Sequence, residues 1–65
     1  MQRKNKHLVN EMYIDNDTHY IIFNSKASLE YIYLFAYKYA IKHKLMAGRA
    51  IYRDNIYQIT LTKFQ

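Results

Sequence analysis

Apolar and polar side chains alternate after residue 7 with the period of a β-strand. The alternation runs from Leu8 to Ile14, and a β-branched and aromatic run lies within residues 18–24. Between these segments, Asn16 and Asp17 are residue types that tolerate the left-handed backbone of a tight hairpin turn. The pattern predicts a β-hairpin, and the turn sets its register. The predicted opposing pairs are Tyr13 with Tyr20 and Met12 with Ile21.

Helix-favouring residues follow from about Ala27 to Ala47. Asn24 and Ser25 offer side chains that accept hydrogen bonds from the first free amides of a helix. Gly48 is the single glycine of the chain, and it follows the basic residues 42–44. Because glycine adopts the left-handed conformation of a helix C-cap without strain, we predict one long helix that ends at this position.

Period-two alternation returns after Gly48, in segments 49–53 and 56–62. Asp54 and Asn55 separate these segments as a second tight turn, which places Tyr52 opposite Tyr57. The element order is ββαββ. It predicts an α+β fold with a small, mainly antiparallel four-stranded sheet, made of two β-hairpins, and one central helix packed on one face. The two hairpins are free to pair within one molecule or between chains.

The predicted helix is apolar on two sides. One side, the predicted core side, carries Leu29, Ile32, Tyr33, Ala36, Ala40, His43 and Ala47. The nearly opposite side is where a surface helix is normally polar, yet it carries a second apolar stripe. We therefore predict a protein interface on that side, formed by Leu34, Tyr37, Lys38, Ile41 and Leu45.

The size of the chain favours a second molecule at this interface. The chain has 65 residues and therefore a small core. It has no cysteine, so neither a disulfide nor a thiolate metal site can reinforce that core. We expect a homodimer, formed through the helix stripe or by strand pairing. We also expect a flexible basic arm at 1–7, a single domain at 8–65 and a cytoplasmic location, because no segment has the apolar length of a signal peptide or a membrane span.

The formal net charge of +5 suggests nucleic acid as an alternative partner. Tyrosines on an open sheet face stack on bases, and nearby cations contact phosphates. The residues of this alternative interface are Arg3, Lys4, Lys6, Tyr13, Tyr20, Lys38, Lys42, Arg49 and Arg53.

Catalytic and cofactor chemistry has no recognisable motif in this chain. His7, His19 and His43 are dispersed, no glycine-rich phosphate loop is present, and capping explains the two serines, Ser25 and Ser28. We expect no enzyme activity, metal, cofactor, membrane partner or small-molecule substrate. Amino acids with AT-rich codons dominate the composition. On that ground we expect a small interaction protein of a phage or mobile element, a regulator or inhibitor that occludes a host protein.

Overall fold

The structure, a computed structural model, describes residues 8–63. The predicted basic arm at 1–7 and the last two residues of the predicted domain lie outside the described residues. Six elements follow one another in this described part of the chain. They are β1 (Val9–Asp15), β2 (Thr18–Asn24), α1 (Leu29–His43), β3 (Leu45–Ala47), β4 (Ile51–Arg53) and β5 (Ile56–Lys63).

All strands belong to one antiparallel sheet in the order β1-β2-β5-β3, and β4 also pairs with β5. The two hairpins pair within one molecule through β2 and β5, where Ile21 lies opposite Ile59 and Phe23 opposite Tyr57. The predicted α+β class and ββαββ order are confirmed. The sheet has five strands rather than four, because β3 precedes the predicted second hairpin.

Both predicted hairpin turns are confirmed by their backbone angles. Asn16 and Asp17 have φ values of 53° and 67°, and Asp54 and Asn55 have 53° and 64°. Two successive residues in the left-handed region match the right-handed twist of the flanking strands. The registers are also as predicted, with Tyr13 opposite Tyr20 and Met12 opposite Ile21 in the first hairpin, and Tyr52 opposite Tyr57 in the second.

The helix is shorter at both ends than the predicted span 27–47. It begins after Ser28, whose hydroxyl accepts a hydrogen bond from the Tyr31 amide at 3.0 Å. It ends at Lys44, which takes the left-handed cap conformation (φ 58°, ψ 53°). The predicted caps at Asn24, Ser25 and Gly48 are therefore wrong. Residues 45–47 leave the helix because they pair with β5 and thereby bury Leu45.

The edge formed by β3 and β4 is interrupted by a bulge. Ala47 lies opposite Leu61, and Ile51 lies opposite Gln58. Ile51 is four residues after Ala47, whereas Gln58 is only three residues from Leu61, so this edge contains one extra residue relative to β5. A hydroxyl from the helix, that of Tyr33, accepts a hydrogen bond from the Ala50 amide at 3.0 Å. This bond gives a backbone amide within the bulge a partner.

Gly48 lies at the start of this bulge and serves a role other than capping. Its φ is not positive. Its amide donates to the carbonyl oxygen of Thr60 at 2.8 Å, and a Cβ at this position would lie 3.1 Å from the same oxygen. Glycine therefore permits a close approach of two backbones.

The core lies between the helix and one face of the sheet. Ile32, Ala36 and Ala40 are buried on the predicted core side of the helix, and small side chains at two of these positions let it lie close to the sheet. The strands and the loop before the helix complete the core with Ile21, Phe23, Ala27, Leu45, Ile59 and Leu61. Tyr31 and Phe35 make edge-to-face contacts with Phe23.

Three residues predicted on the core side of the helix lie elsewhere. Leu29 is 51% exposed; it is the first residue of the helix, and the first buried helical residue is Ile32. His43 is exposed in the last helical turn. Ala47 contributes to the core as part of β3 instead of the helix.

Candidate functional site

Between residues 8 and 63, ten large hydrophobic side chains are exposed, and most of them fall on three surfaces. Exposed apolar area that is concentrated in patches marks sites of interaction on soluble proteins. We define the helix face as Leu34, Tyr37, Lys38 and Ile41. The open sheet face is the side of the sheet opposite the helix, and the β1 edge is the outer side of strand β1 with Met12 and Ile14.

The helix face lies on the side of α1 that points away from the sheet. Leu34 and Tyr37 are each 54% exposed, and Ile41 is 79% exposed. Their spacing of three and four residues aligns them along one stripe. Four of the five predicted interface residues therefore share one exposed surface. The prediction for the fifth residue, Leu45, is wrong. Leu45 is only 4% exposed and belongs to the core as part of β3.

A groove adjoins the helix face on the flank of α1. Two depressions of about 370 Å³ and 200 Å³ share Phe35 and Lys38 among their lining residues. Phe35 is half-buried, and its edge-to-face contact with Phe23 holds the floor of the groove against the core. The complete lining is Tyr31, Leu34, Phe35, Lys38, Tyr39 and Lys42. The groove thus combines an aromatic floor with two lysines.

The open sheet face carries a pair of stacked tyrosines. The rings of Tyr13 and Tyr20 lie 4.8 Å apart at an interplanar angle of 15°. Side chains alternate between the two faces of a strand, and directly opposed residues point to the same side. Glu11, Tyr13 and Asp15 lie opposite alternate residues of β2, so all three share the open sheet face. These carboxylates oppose the binding of phosphates next to the tyrosine pair.

Arg53 also lies on the open sheet face, at the opposite edge from Tyr13. With Ile51, Asp54, Ile56 and Gln58 it lines a depression of about 230 Å³. The register places Ile51 and Gln58 opposite each other and Arg53 opposite Ile56, so these four side chains share one side of the sheet.

The predicted nucleic-acid residues are divided between surfaces. Tyr13, Tyr20 and Arg53 lie on the open sheet face, whereas Lys38 and Lys42 are exposed on the helix across the sheet. Arg49 is exposed in the connection between β3 and β4. The remaining predicted residues, Arg3, Lys4 and Lys6, lie outside the described residues.

Two histidines that are distant in the sequence come together around Tyr39. Nδ1 of His19 lies 2.8 Å from the Tyr39 hydroxyl, and the ring of His43 lies 4.2 Å from the Tyr39 ring. The two histidine rings are 5.9 Å apart. Sequence reasoning missed this cluster because the pairing of strands and helix brings its members together. Across residues 8–63, no group of three or more His, Cys, Asp or Glu side chains could hold a metal ion.

Neither a membrane helix nor a buried charge occurs in the described part of the chain. No helix there is both long and apolar enough to cross a membrane. The buried residues between positions 8 and 63 are all apolar. Comparison with protein-family models, with curated proteins and with solved structures finds no match for this chain.

Proposed function

We propose that this protein acts by binding another protein through the helix face and the adjoining groove, without catalysing a reaction. The observation that carries this proposal is the exposure of Leu34, Tyr37 and Ile41 on a helix whose opposite side is already buried. Within residues 8–63, every other element belongs to the sheet below the helix. A partner molecule would therefore be needed to cover these side chains.

Burial of the helix face contributes to the driving force for association. Full burial of one large aliphatic side chain contributes roughly 1.5–3 kcal/mol. Leu34 and Ile41 retain about half or more of their surface for a partner, at 54% and 79% exposed. In the groove, Phe35 already contacts Phe23 and Tyr31, so binding there requires little further ordering of these aromatic rings.

The charge of this surface indicates the chemistry of the partner. Lys38 and Lys42 line the groove, and the chain has a net charge of +5. An apolar segment flanked by acidic residues complements both features, and the lysines would accelerate its approach. The expectation that this partner is a host protein occluded by a phage protein rests on composition alone and stays a prediction.

A photo-crosslinking phenylalanine derivative in place of Tyr37 tests this proposal in lysate of the source cell. Tyr52 is an equally exposed control, because both tyrosines are 54% exposed. We expect one crosslinked protein from position 37 and none from position 52. The crosslinked peptide should be apolar with acidic neighbours, and the adduct should disappear when Ile41→Glu is added.

Binding to the purified partner completes this test. Lys38→Glu and Lys42→Glu should each weaken the affinity, because they reverse a charge that faces the acidic segment. Equal crosslinking at positions 37 and 52, or unchanged affinity for the charge-reversed variants, would contradict the proposal.

Nucleic acid remains the second candidate partner, and the stacked pair Tyr13 and Tyr20 is the observation that favours it. Stacking on a base contributes roughly 1–3 kcal/mol. If this candidate is correct, affinity for a random single-stranded oligonucleotide falls steeply with salt and also falls in Tyr13→Ala. Binding that ignores salt, or no binding at low salt, excludes it.

A further inference from the structure

Strand β1 forms an open edge of the sheet. Among the described residues it pairs only with β2, through a hairpin closed by the two-residue turn at Asn16 and Asp17. The residues that flank such a turn exchange hydrogen bonds, and this bonding alternates along the hairpin. The backbone amides and carbonyls of Met12 and Ile14 therefore point outwards, where a further strand can accept and donate hydrogen bonds.

The helix does not cover the side chains of β1 that lie on its own side of the sheet. Met12 is 44% exposed and Ile14 is 62% exposed, although their partners in β2 point toward the helix side of the sheet. Met12 lies opposite Ile21, which is fully buried. The apolar surface thus continues from the buried core onto β1, where its side chains are exposed to solvent.

The two edges of the sheet differ in their protection against pairing. Natural sheets protect their edges with short strands, bulges, charged side chains (lysine above all) or proline. The opposite edge has such protection, because it is divided into β3 and β4, each of three residues, and carries Arg53. In contrast, β1 has seven residues without lysine, arginine or proline, its bulge is confined to its start, between Val9 and Glu11, and its two carboxylates, Glu11 and Asp15, leave the segment from Met12 to Ile14 uncharged.

We propose that β1 pairs with β1 of a second copy of this chain, antiparallel and about a two-fold axis at Met12. Residues whose backbone amides and carbonyls point outwards must lie opposite each other, so Met12 lies opposite Asn10, Met12 or Ile14 of the second copy. The register with Asn10 would place Glu11 opposite Glu11, and the register with Ile14 would place Glu11 opposite Asp15; like charges there repel. The register centred on Met12 places Glu11 opposite the uncharged Tyr13 of the second copy.

The order of charges along the sequence favours the same antiparallel arrangement. Glu11 and Asp15 are the charged residues of β1. Antiparallel pairing centred on Met12 places Asp15 opposite Val9 and Glu11 opposite Tyr13, whereas parallel in-register pairing would align Glu11 with Glu11 and Asp15 with Asp15. The proposal does not depend on the helix face, which this dimer leaves free.

Sedimentation of two matched methionine variants tests whether β1 is the interface. Met12 and Met46 lie on opposite edges of the sheet and have similar exposures of 44% and 48%. We expect the full chain and Met46→Lys to sediment as dimers and Met12→Lys as a monomer with an unchanged circular dichroism spectrum. A wild-type monomer would overturn the proposal, and so would a dimer that survives Met12→Lys.

Disulfide crosslinking tests the register and does not require Met12→Lys to fold. The chain has no cysteine, so each introduced cysteine is unique. In the proposed register the Met12 Cα atoms of the two copies are about 5.5 Å apart, within the range for a disulfide. Met12→Cys should therefore form a crosslinked dimer on oxidation, whereas Ile14→Cys, opposite Asn10 of the second copy, should not. Crosslinking of Ile14→Cys alone would overturn the register.

The helix face provides the remaining control. Ile41→Glu should keep the dimer, because it alters the proposed protein-binding surface and leaves β1 unchanged. A dimer that Ile41→Glu dissociates would place the second copy on the helix face and overturn the proposal. Failure of the helix-face crosslinking experiment with the β1 dimer intact would contradict only the proposed function.

Discussion

A pair of chemically identical substitutions distinguishes the core from the helix face. Leu45 and Leu34 are both leucines in or near the helix, but Leu45 is 4% exposed and Leu34 is 54% exposed. Leu45→Ala removes packed methyl groups from the core and leaves a cavity, which costs about 2–5 kcal/mol. Leu34→Ala removes a side chain that is more than half exposed and leaves no closed cavity, so it should change the free energy of unfolding much less than Leu45→Ala, by about 0.5 kcal/mol.

This difference is large relative to the total stability of so small a domain. At about 0.05–0.15 kcal/mol per residue, a chain of 65 residues has a free energy of unfolding of roughly 3–10 kcal/mol. Leu45→Ala would therefore remove a large part of the stability, and a substantial fraction of the molecules would be unfolded at the lower end of that range. Leu34→Ala should remain folded and give a similar unfolding curve to the wild type.

Urea unfolding followed by far-ultraviolet circular dichroism measures both variants. The curves should be recorded at several protein concentrations, because association of folded chains raises the apparent stability. We expect the midpoint of Leu45→Ala to fall well below that of Leu34→Ala at every concentration. Equal midpoints for the two variants would refute the placement of Leu45 in the core and, with it, the pairing of β3 with β5.

Three further substitutions test local features of the fold, each by the free energy of urea unfolding. Tyr33→Phe removes the acceptor for the bulge amide and should cost about 1 kcal/mol, whereas Tyr37→Phe on the exposed side of the helix should cost nothing measurable. Lys44→Gly should stabilise by up to about 1 kcal/mol, since glycine takes the left-handed cap without strain; destabilisation would contradict the cap assignment. Ser28→Ala should cost about 1 kcal/mol through loss of the N-cap, whereas an equal loss in Ser25→Ala would indicate that the helix begins earlier.

The two hairpins were predictable because their determinants are local. Asn16 and Asp17, and likewise Asp54 and Asn55, are adjacent residues whose side chains tolerate positive φ, and alternation continues on both sides. The exposed helix residues were partly predictable for a similar reason. Leu34 and Ile41 lie within the helix, so their spacing in the sequence translates directly into a shared face.

Leu45 illustrates why periodicity failed at the end of the helix. Its spacing from Ile41 continues the stripe, and no local signal separates a further helical turn from a short strand. The difference comes from β5, where Lys63 lies opposite Leu45 and Leu61 opposite Ala47. Backbone hydrogen bonds to this distant strand and burial of Leu45 outweigh the cost of a left-handed lysine at position 44, which is about 1–2 kcal/mol.

By itself, the sequence determined the order hairpin, helix, hairpin, both turns and their registers, because each depends on residues only a few positions apart. Only the tertiary structure decided that β2 pairs with β5, that β1 is left as an open edge, and that acidic side chains share a face with the stacked tyrosines. It also divided the apolar residues between the core and the surface. The physical reason is that burial depends on which strands lie under the helix, and contacts between residues far apart in the chain determine that placement.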